Sequence, residues 1–334
     1  MKSRKLALSV LTVPLTALLL AGCSQGSAQE TEAEQTQPAA GLTVVATTNV
    51  YRDIAQNIGG EHIEATEIIS SPAQDPHSYE PSARDKLTVS KADVVLANGG
   101  GYDDFMTQLV SSLSTDAVVQ TVYAVDSSPV PAETAEHDTG EGHEHDHDHE
   151  HAGPEHEGHH HAGYNEHIWF DLESMSALAG TLAQEFSELV PEHAAEFEAN
   201  AQNFEVQVQQ LSEQLEAAGL QGQSFAMTEP VPYHLLVDAG MVDATPAGLS
   251  AAVEAEAEIP PQDLKALNDA LQAGSIDLLA YNIQTEGSES VSIRSTAEAN
   301  SVPVVEFAET MGAEQQYLQW IGEQISALSS ALGE

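Results

Sequence analysis

Residues 191–218 constrain the fold of this chain more than any other stretch. Within them Phe197, Ala201, Phe204, Val208, Leu211 and Leu215 recur at steps of four and three, and Gly219 follows. That spacing lays one apolar stripe along a single helix, with Pro191 at its start and glycine at its stop. At 1.5 Å per residue such a helix spans roughly 40 Å. A helix this long beside two α/β halves reads as a rigid connector rather than a hinge.

Ahead of it, residues 42–48 suit a buried strand and 49–58 a helix stopped by Gly59 and Gly60. Strands follow at 62–69, 92–98 and 117–125, with helices at 82–91, 103–113 and 172–189. Behind it, 224–227, 276–281 and 302–307 read as strands. Helices are expected at 233–239, 260–273 and 289–299, with a last one carrying Leu318, Ile321, Ile325, Leu328 and Leu332. Strands alternating with helices imply parallel sheets with helical crossovers. The expected fold class is α/β: two Rossmann-like (β/α) lobes joined by one long rigid helix. Ligands should then sit in the inter-lobe cleft, beyond the carboxyl ends of strands.

The first residues form a leader. Lys2, Arg4 and Lys5 precede an apolar run over 6–21, the pattern of a secretory signal. The run closes Leu20-Ala21-Gly22-Cys23, which resembles the lipobox of bacterial lipoproteins, in which the cysteine carries the lipid. Cys23 is the single cysteine, so no intramolecular disulfide can form. The expected layout is a leader over 1–22, a tether over 23–41, a first lobe over 42–190, the linking helix over 191–219 and a second lobe over 220–334. No second long apolar run exists to span a membrane.

Without the leader, six Lys and Arg face 53 Asp and Glu, and no basic residue lies between Lys91 and Lys265. Nucleic acid is excluded as a partner, because phosphate binding needs clustered cations. The charge either concentrates cations near the surface or suits a salty medium, and composition leaves both readings open.

Residues 133–161 hold ten His, ten carboxylates, five Gly or Pro and no Lys or Arg. A run so polar cannot bury enough apolar surface to offset chain ordering, so a mobile loop over 132–163 is expected. Imidazoles beside carboxylates suit borderline transition metals. His143, His145, His147, His149, His151, His156, His159, His160 and His161 are therefore candidate weak, accessory metal ligands. His167 differs, since it precedes Ile168-Trp169-Phe170 at the edge of folded structure.

Four candidate ligands stand near strand ends: His77, His167, Glu229 and Glu309. Each alone is a weak signal. Together they place two imidazoles in the first lobe and two carboxylates in the second, a four-ligand set for Zn²⁺ or Mn²⁺.

The segment Asp75-Pro76-His77-Ser78-Tyr79-Glu80-Pro81-Ser82-Ala83-Arg84-Asp85 is close to a DPH-x-YEP-x-x-x-D pattern, and Asn165-Glu166-His167-Ile168-Trp169-Phe170-Asp171 stands where N-P-H-[VI]-W-x-D is usual. With these motifs the chain resembles, over about residues 42–332, the solute-binding receptors of ABC-type zinc and manganese importers (solute-binding family 9). The resemblance implies two lobes on one long helix and carries the first two ligands to His77 and His167. It implies Glu229 as third ligand, with His234 one turn into the next helix, and Glu309 as fourth. Two segments depart from the family: Tyr281-Asn282-Ile283-Gln284-Thr285 replaces an acidic one, and the second-lobe disulfide of some zinc receptors is impossible.

The implied function is a lipid-anchored extracytoplasmic receptor that hands Zn²⁺, or alternatively Mn²⁺, to a membrane permease. A monomer is expected. The His-rich loop argues for zinc, and the His₂Glu₂ set for manganese. An enzyme is not expected, because HExxH and similar motifs are absent. Members of the family have been described as adhesins, which makes a surface adhesin or zinc buffer the third reading.

Overall fold

A computed structural model of the chain describes residues 41–113, 119–129, 165–254 and 257–333. The leader, Cys23, the tether up to residue 40 and every histidine of the 132–163 run lie outside the described residues.

The first lobe is built from β1 (Leu42–Thr48), α1 (Asn49–Gly59), β2 (Ile63–Ile69), α2 (Ala83–Val89), β3 (Val94–Ala97), α3 (Asp104–Ser111), β4 (Gln120–Tyr123) and α4 (Leu172–Leu189). All strand pairs are parallel, in the order β2-β1-β3-β4. After α5 (Ala194–Ala217) the second lobe repeats the design. It contains β5 (Ser224–Met227), α6 (Tyr233–Asp238), β6 (Val242–Asp243), α7 (Ala247–Glu254), α8 (Pro261–Ala273), β7 (Leu278–Asn282), α9 (Ser288–Ala299), β8 (Val304–Phe307) and α10 (Tyr317–Leu332). Its sheet runs β6-β5-β7-β8, again parallel. Every residue of β3 and β7 is buried, as befits parallel strands covered on both faces.

The six apolar residues of the 191–218 stripe are the six that α5 buries. The helix is shorter than its pattern suggested. Residues Pro191–His193 make a single 3₁₀ turn, and the 24 residues of α5 span about 36 Å. Helices α4, α1 and α10 pack on it, so one apolar core passes from sheet to sheet around α5. Smaller cores lie under α2 and α3 on the outer face of the first sheet, and under α7, α8 and α9 on the second.

The connection is not α5 alone. Asn49 at the start of α1 donates to the Met311 carbonyl (2.7 Å) and accepts the Met311 amide (3.0 Å). Asp53 accepts the Tyr317 amide at 2.8 Å, and the Tyr317 hydroxyl donates to the Trp169 carbonyl at 2.8 Å. Periodicity gave no hint of β6 or α7: one is two residues long, the other a short Ala-rich turn of chain with little amphipathic contrast.

Candidate metal centre

The loop after β2 carries His77 and is pinned at both ends by a carboxylate. Asp75 accepts the His77 amide (2.9 Å) and the Ser78 hydroxyl (2.8 Å). At the far end Asp85, in the first turn of α2, accepts the Ser82 amide (2.7 Å), the Ser82 hydroxyl (2.7 Å) and the Tyr79 hydroxyl (3.0 Å). Ser82 and Asp85 form a capping box. Burial raises the Asp85 carboxyl, but donors from Ser82 and Tyr79, with Arg84 nearby, leave it below its ordinary value. The spacing of the DPH-x-YEP-x-x-x-D motif is thus the spacing of a loop tied to the helix it precedes. Tyr102 then meets the His77 ring edge-on, with centroids 5.0 Å apart.

His167 is fully buried and reaches the site from the other side of the first lobe. Beyond β3, Gly99, Gly100 and Gly101 all take positive φ, between +69° and +96°. A Cβ on Gly99 would lie 2.7 Å from Val125 and collide with it, and one on Gly100 would touch Glu166 at 3.4 Å, with the positive φ straining a side chain at either position. Asn98 also donates to the Glu166 carbonyl at 3.0 Å. The orientation of the imidazole is set by Asn165. Its Nδ2 donates to Pro230 O (2.7 Å), which turns Oδ1 toward His167, where it accepts from the amide (2.9 Å) and from Nδ1 (2.7 Å). A carbonyl oxygen can only accept, so Nδ1 carries the proton and Nε2 the lone pair, the tautomer that ligates metal.

In the second lobe Glu229 follows β5 and is buried, like Asn282 at the end of β7 and Glu309 beyond β8. Asn282 Nδ2 donates to Glu229 Oε2 and, at 3.0 Å, to Glu309 Oε1. Thr285 Oγ1 donates to the same Glu229 oxygen. Gln284 Oε1 accepts the amides of Glu309 (2.7 Å) and Thr310 (2.8 Å), which fixes the turn after β8. Burial first, and the Glu229 charge second, push the Glu309 carboxyl well above the ordinary carboxylate range.

The donor atoms of His77, His167 and Glu229 lie within 4.8 Å of one another. They stand at a cleft of about 420 Å³ whose walls come from both lobes, with Asp75 and His77 on one side and Thr228, Glu229 and Thr285 on the other. Two imidazole nitrogens and a carboxylate oxygen make a donor set for a divalent transition metal. Glu309 is not among these three; it is fully buried, accepts from Asn282 and lies close to Tyr102, whose ring meets both imidazoles. His234 turns away from the cluster, and its Nε2 lies 2.9 Å from the Asn165 carbonyl oxygen.

Three participants were missed in the sequence. Glu166, at 1% exposure, places Oε1 3.9 Å from His77 Nε2, a third acid in a position where the family pattern has proline. Asn282 and Thr285 hold the second-lobe acids. Their signal was the Tyr281–Thr285 segment itself, legible as a departure but not as a clamp.

The family described as "ZnuA: Zinc-uptake complex component A periplasmic" matches residues 44–331. The manganese-binding lipoprotein MntA of Bacillus subtilis is 28% identical over 196 residues, 58% of this chain and 53% of MntA. The zinc-binding lipoprotein AdcA of Streptococcus pneumoniae is 26% identical over 256 residues, 75% of this chain and 46% of AdcA. The chain thus spans about half the length of the curated relatives it matches. Among solved structures, the laminin-binding protein Lmb of Streptococcus agalactiae, described as bifunctional with adhesin and metal-transporting activity, superposes with a TM-score of 0.67. That match covers 87% of this chain and all of Lmb at 18% identity, a likeness of fold.

Proposed function

This chain belongs to the family of periplasmic zinc-uptake complex components, and from that premise we propose that it is the extracytoplasmic receptor of an ABC-type importer, capturing Zn²⁺ for a membrane permease. The observation that carries this reading is the convergence of His77 and His167 from one lobe and Glu229 from the other, with donor atoms within 4.8 Å. An ion held by all three makes bonds to both lobes at once, so occupancy is expressed in how the lobes meet. That is what a permease needs in order to tell a loaded receptor from an empty one. The family is one of binding components and not of enzymes.

Zinc is favoured by the two imidazoles and by the histidine run in the sequence. Manganese is the second reading, favoured by the carboxylates Glu166, Glu229 and Glu309 around the pair, since oxygen donors suit the harder ion. Metal analysis of protein purified without added metal, with Zn²⁺–Mn²⁺ competition titration, separates the two. His77→Ala and His167→Ala should each weaken the favoured ion by about tenfold to a hundredfold, by analogy with losing a supporting contact. Unchanged titration in both variants would overturn the site.

The remaining parts of this reading are a lipid anchor at Cys23 and a monomeric receptor, with the histidine run as an accessory collector. Among the described residues no helix is long and apolar enough to cross a membrane. Cys23→Ser should move the protein from the detergent to the aqueous phase on phase separation; continued partitioning into detergent would refute the anchor.

A further inference from the structure

At the opposite end of the first sheet from the cleft, three side chains converge that the proposed receptor site does not use. His62 lies just before β2, His193 in the 3₁₀ turn before α5, and Glu196 in the first turn of α5. His77 follows the far end of the seven-residue strand β2, so about 20 Å of strand separates the two places. Their donor atoms all lie within 4.8 Å of one another. His62 Nε2 is 2.9 Å from Glu196 Oε2, and His193 Nδ1 is 3.3 Å from Glu196 Oε1, so both imidazoles aim a nitrogen at one carboxylate.

We propose that His62, His193 and Glu196 form a second divalent-metal site of the Zn²⁺ class, which clamps the start of β2 to the start of α5. Two imidazole nitrogens and one carboxylate oxygen, with water as a fourth ligand, are a complete tetrahedral set for Zn²⁺. Mg²⁺ would be excluded, because it prefers oxygen donors in an octahedron. The ligands are brought together in advance. Phe197 packs against the edge of both rings, with centroids 5.8 Å from His62 and 6.4 Å from His193. Asn200, one turn further along α5, donates to the Ile58 carbonyl at 2.9 Å and fixes α5 against the end of α1.

Access is open. The side chains of His62, His193 and Glu196 are 16%, 32% and 60% exposed, so the ion can arrive without any opening of the fold. The two rings stack at 3.6 Å, and an ion seated between their nitrogens must turn them apart; the exposed edge of His193 gives it room to rotate. In the metal-free state the same atoms form a hydrogen-bonded triad. The site stands whether or not the cleft binds metal, since it shares no residue with it.

The test is a Zn²⁺ titration of the full chain followed by side-chain ¹⁵N NMR of the imidazoles, with His62 and His193 assigned by His62→Gln and His193→Gln. The expected result is that the ring nitrogens of both residues shift with Zn²⁺ and not with Mg²⁺, and do so equally in a His77→Ala background. Glu196→Gln should raise the zinc concentration at the midpoint of that shift by about tenfold. Signals of His62 and His193 that stay in place while other histidines move would overturn the proposal, as would a midpoint unchanged in Glu196→Gln. Should the assignment variants unfold, carbethoxylation of the unaltered chain with peptide mapping reads the same residues. Zn²⁺ should then slow modification of His62 and His193, and equal rates with and without zinc would overturn the site.

Discussion

Asn165 accepts from His167 Nδ1 at 2.7 Å while its own amide group donates across the cleft to Pro230. One side chain therefore sets the tautomer of a candidate ligand imidazole and ties the first lobe to the second. Asn165→Ala should leave His167 buried but unoriented, and weaken metal binding by roughly tenfold to a hundredfold. Calorimetric titration checks this, and Asn165→Asp, which keeps the acceptor, should lose less.

Glu229 and His234 should separate cleanly. Glu229→Ala removes a donor from the three-residue cluster, so a loss of at least tenfold in metal affinity is expected. His234 stands outside that cluster, with Nε2 2.9 Å from the Asn165 carbonyl oxygen, so His234→Ala should lose no more than a few-fold. Paired titrations decide it, and the reverse order of losses would place the third ligand at His234.

Asn282 shares its amide between Glu229 and Glu309, which are both buried. Asn282→Ala leaves two acids facing each other without that donor. Hydrogen bonds to charged groups contribute about 1.5–3 kcal/mol, so the metal-free protein should lose about 2 kcal/mol in urea unfolding. Saturating metal should narrow the gap, because a cation relieves the same repulsion.

Asp238 should make stability depend on pH in a definite direction. Burial, then the charges of Asp171 and Glu173, push its carboxyl up from 3.8 to about 6. Between those values the folded chain binds more proton than the unfolded one, so this group's contribution to stability falls as pH rises through that window. Asp238→Asn should therefore stabilise the protein above pH 6 and make no difference below about pH 4. Asp238 is itself exposed and solvent screens the repulsion, so the gain should be about 0.5 kcal/mol, smaller still in high salt. Thermal unfolding of both proteins across pH 4–8 measures it.

The alternation of strands and helices and the six-residue stripe of α5 were legible in the sequence, because each rests on a short local period that burial enforces wherever the chain goes. His77 and His167 were legible for a related reason: each sits in a segment whose neighbours, Asp75 and Asp85 for one and Asn165 for the other, fold it locally. What the sequence could not decide is anything that depends on which strand ends meet. Glu229 and Glu309 look alike along the chain, each following a strand, yet Glu229 sets an oxygen within 4.8 Å of the imidazole donor atoms while Glu309 meets it through a shared Asn282. Glu166 next to His77, and His62 stacked on His193, pair residues 89 and 131 positions apart in the chain. Such distances are set by sheet order and by the packing of α1 and α4 on α5, and only the assembled tertiary structure brings those side chains together.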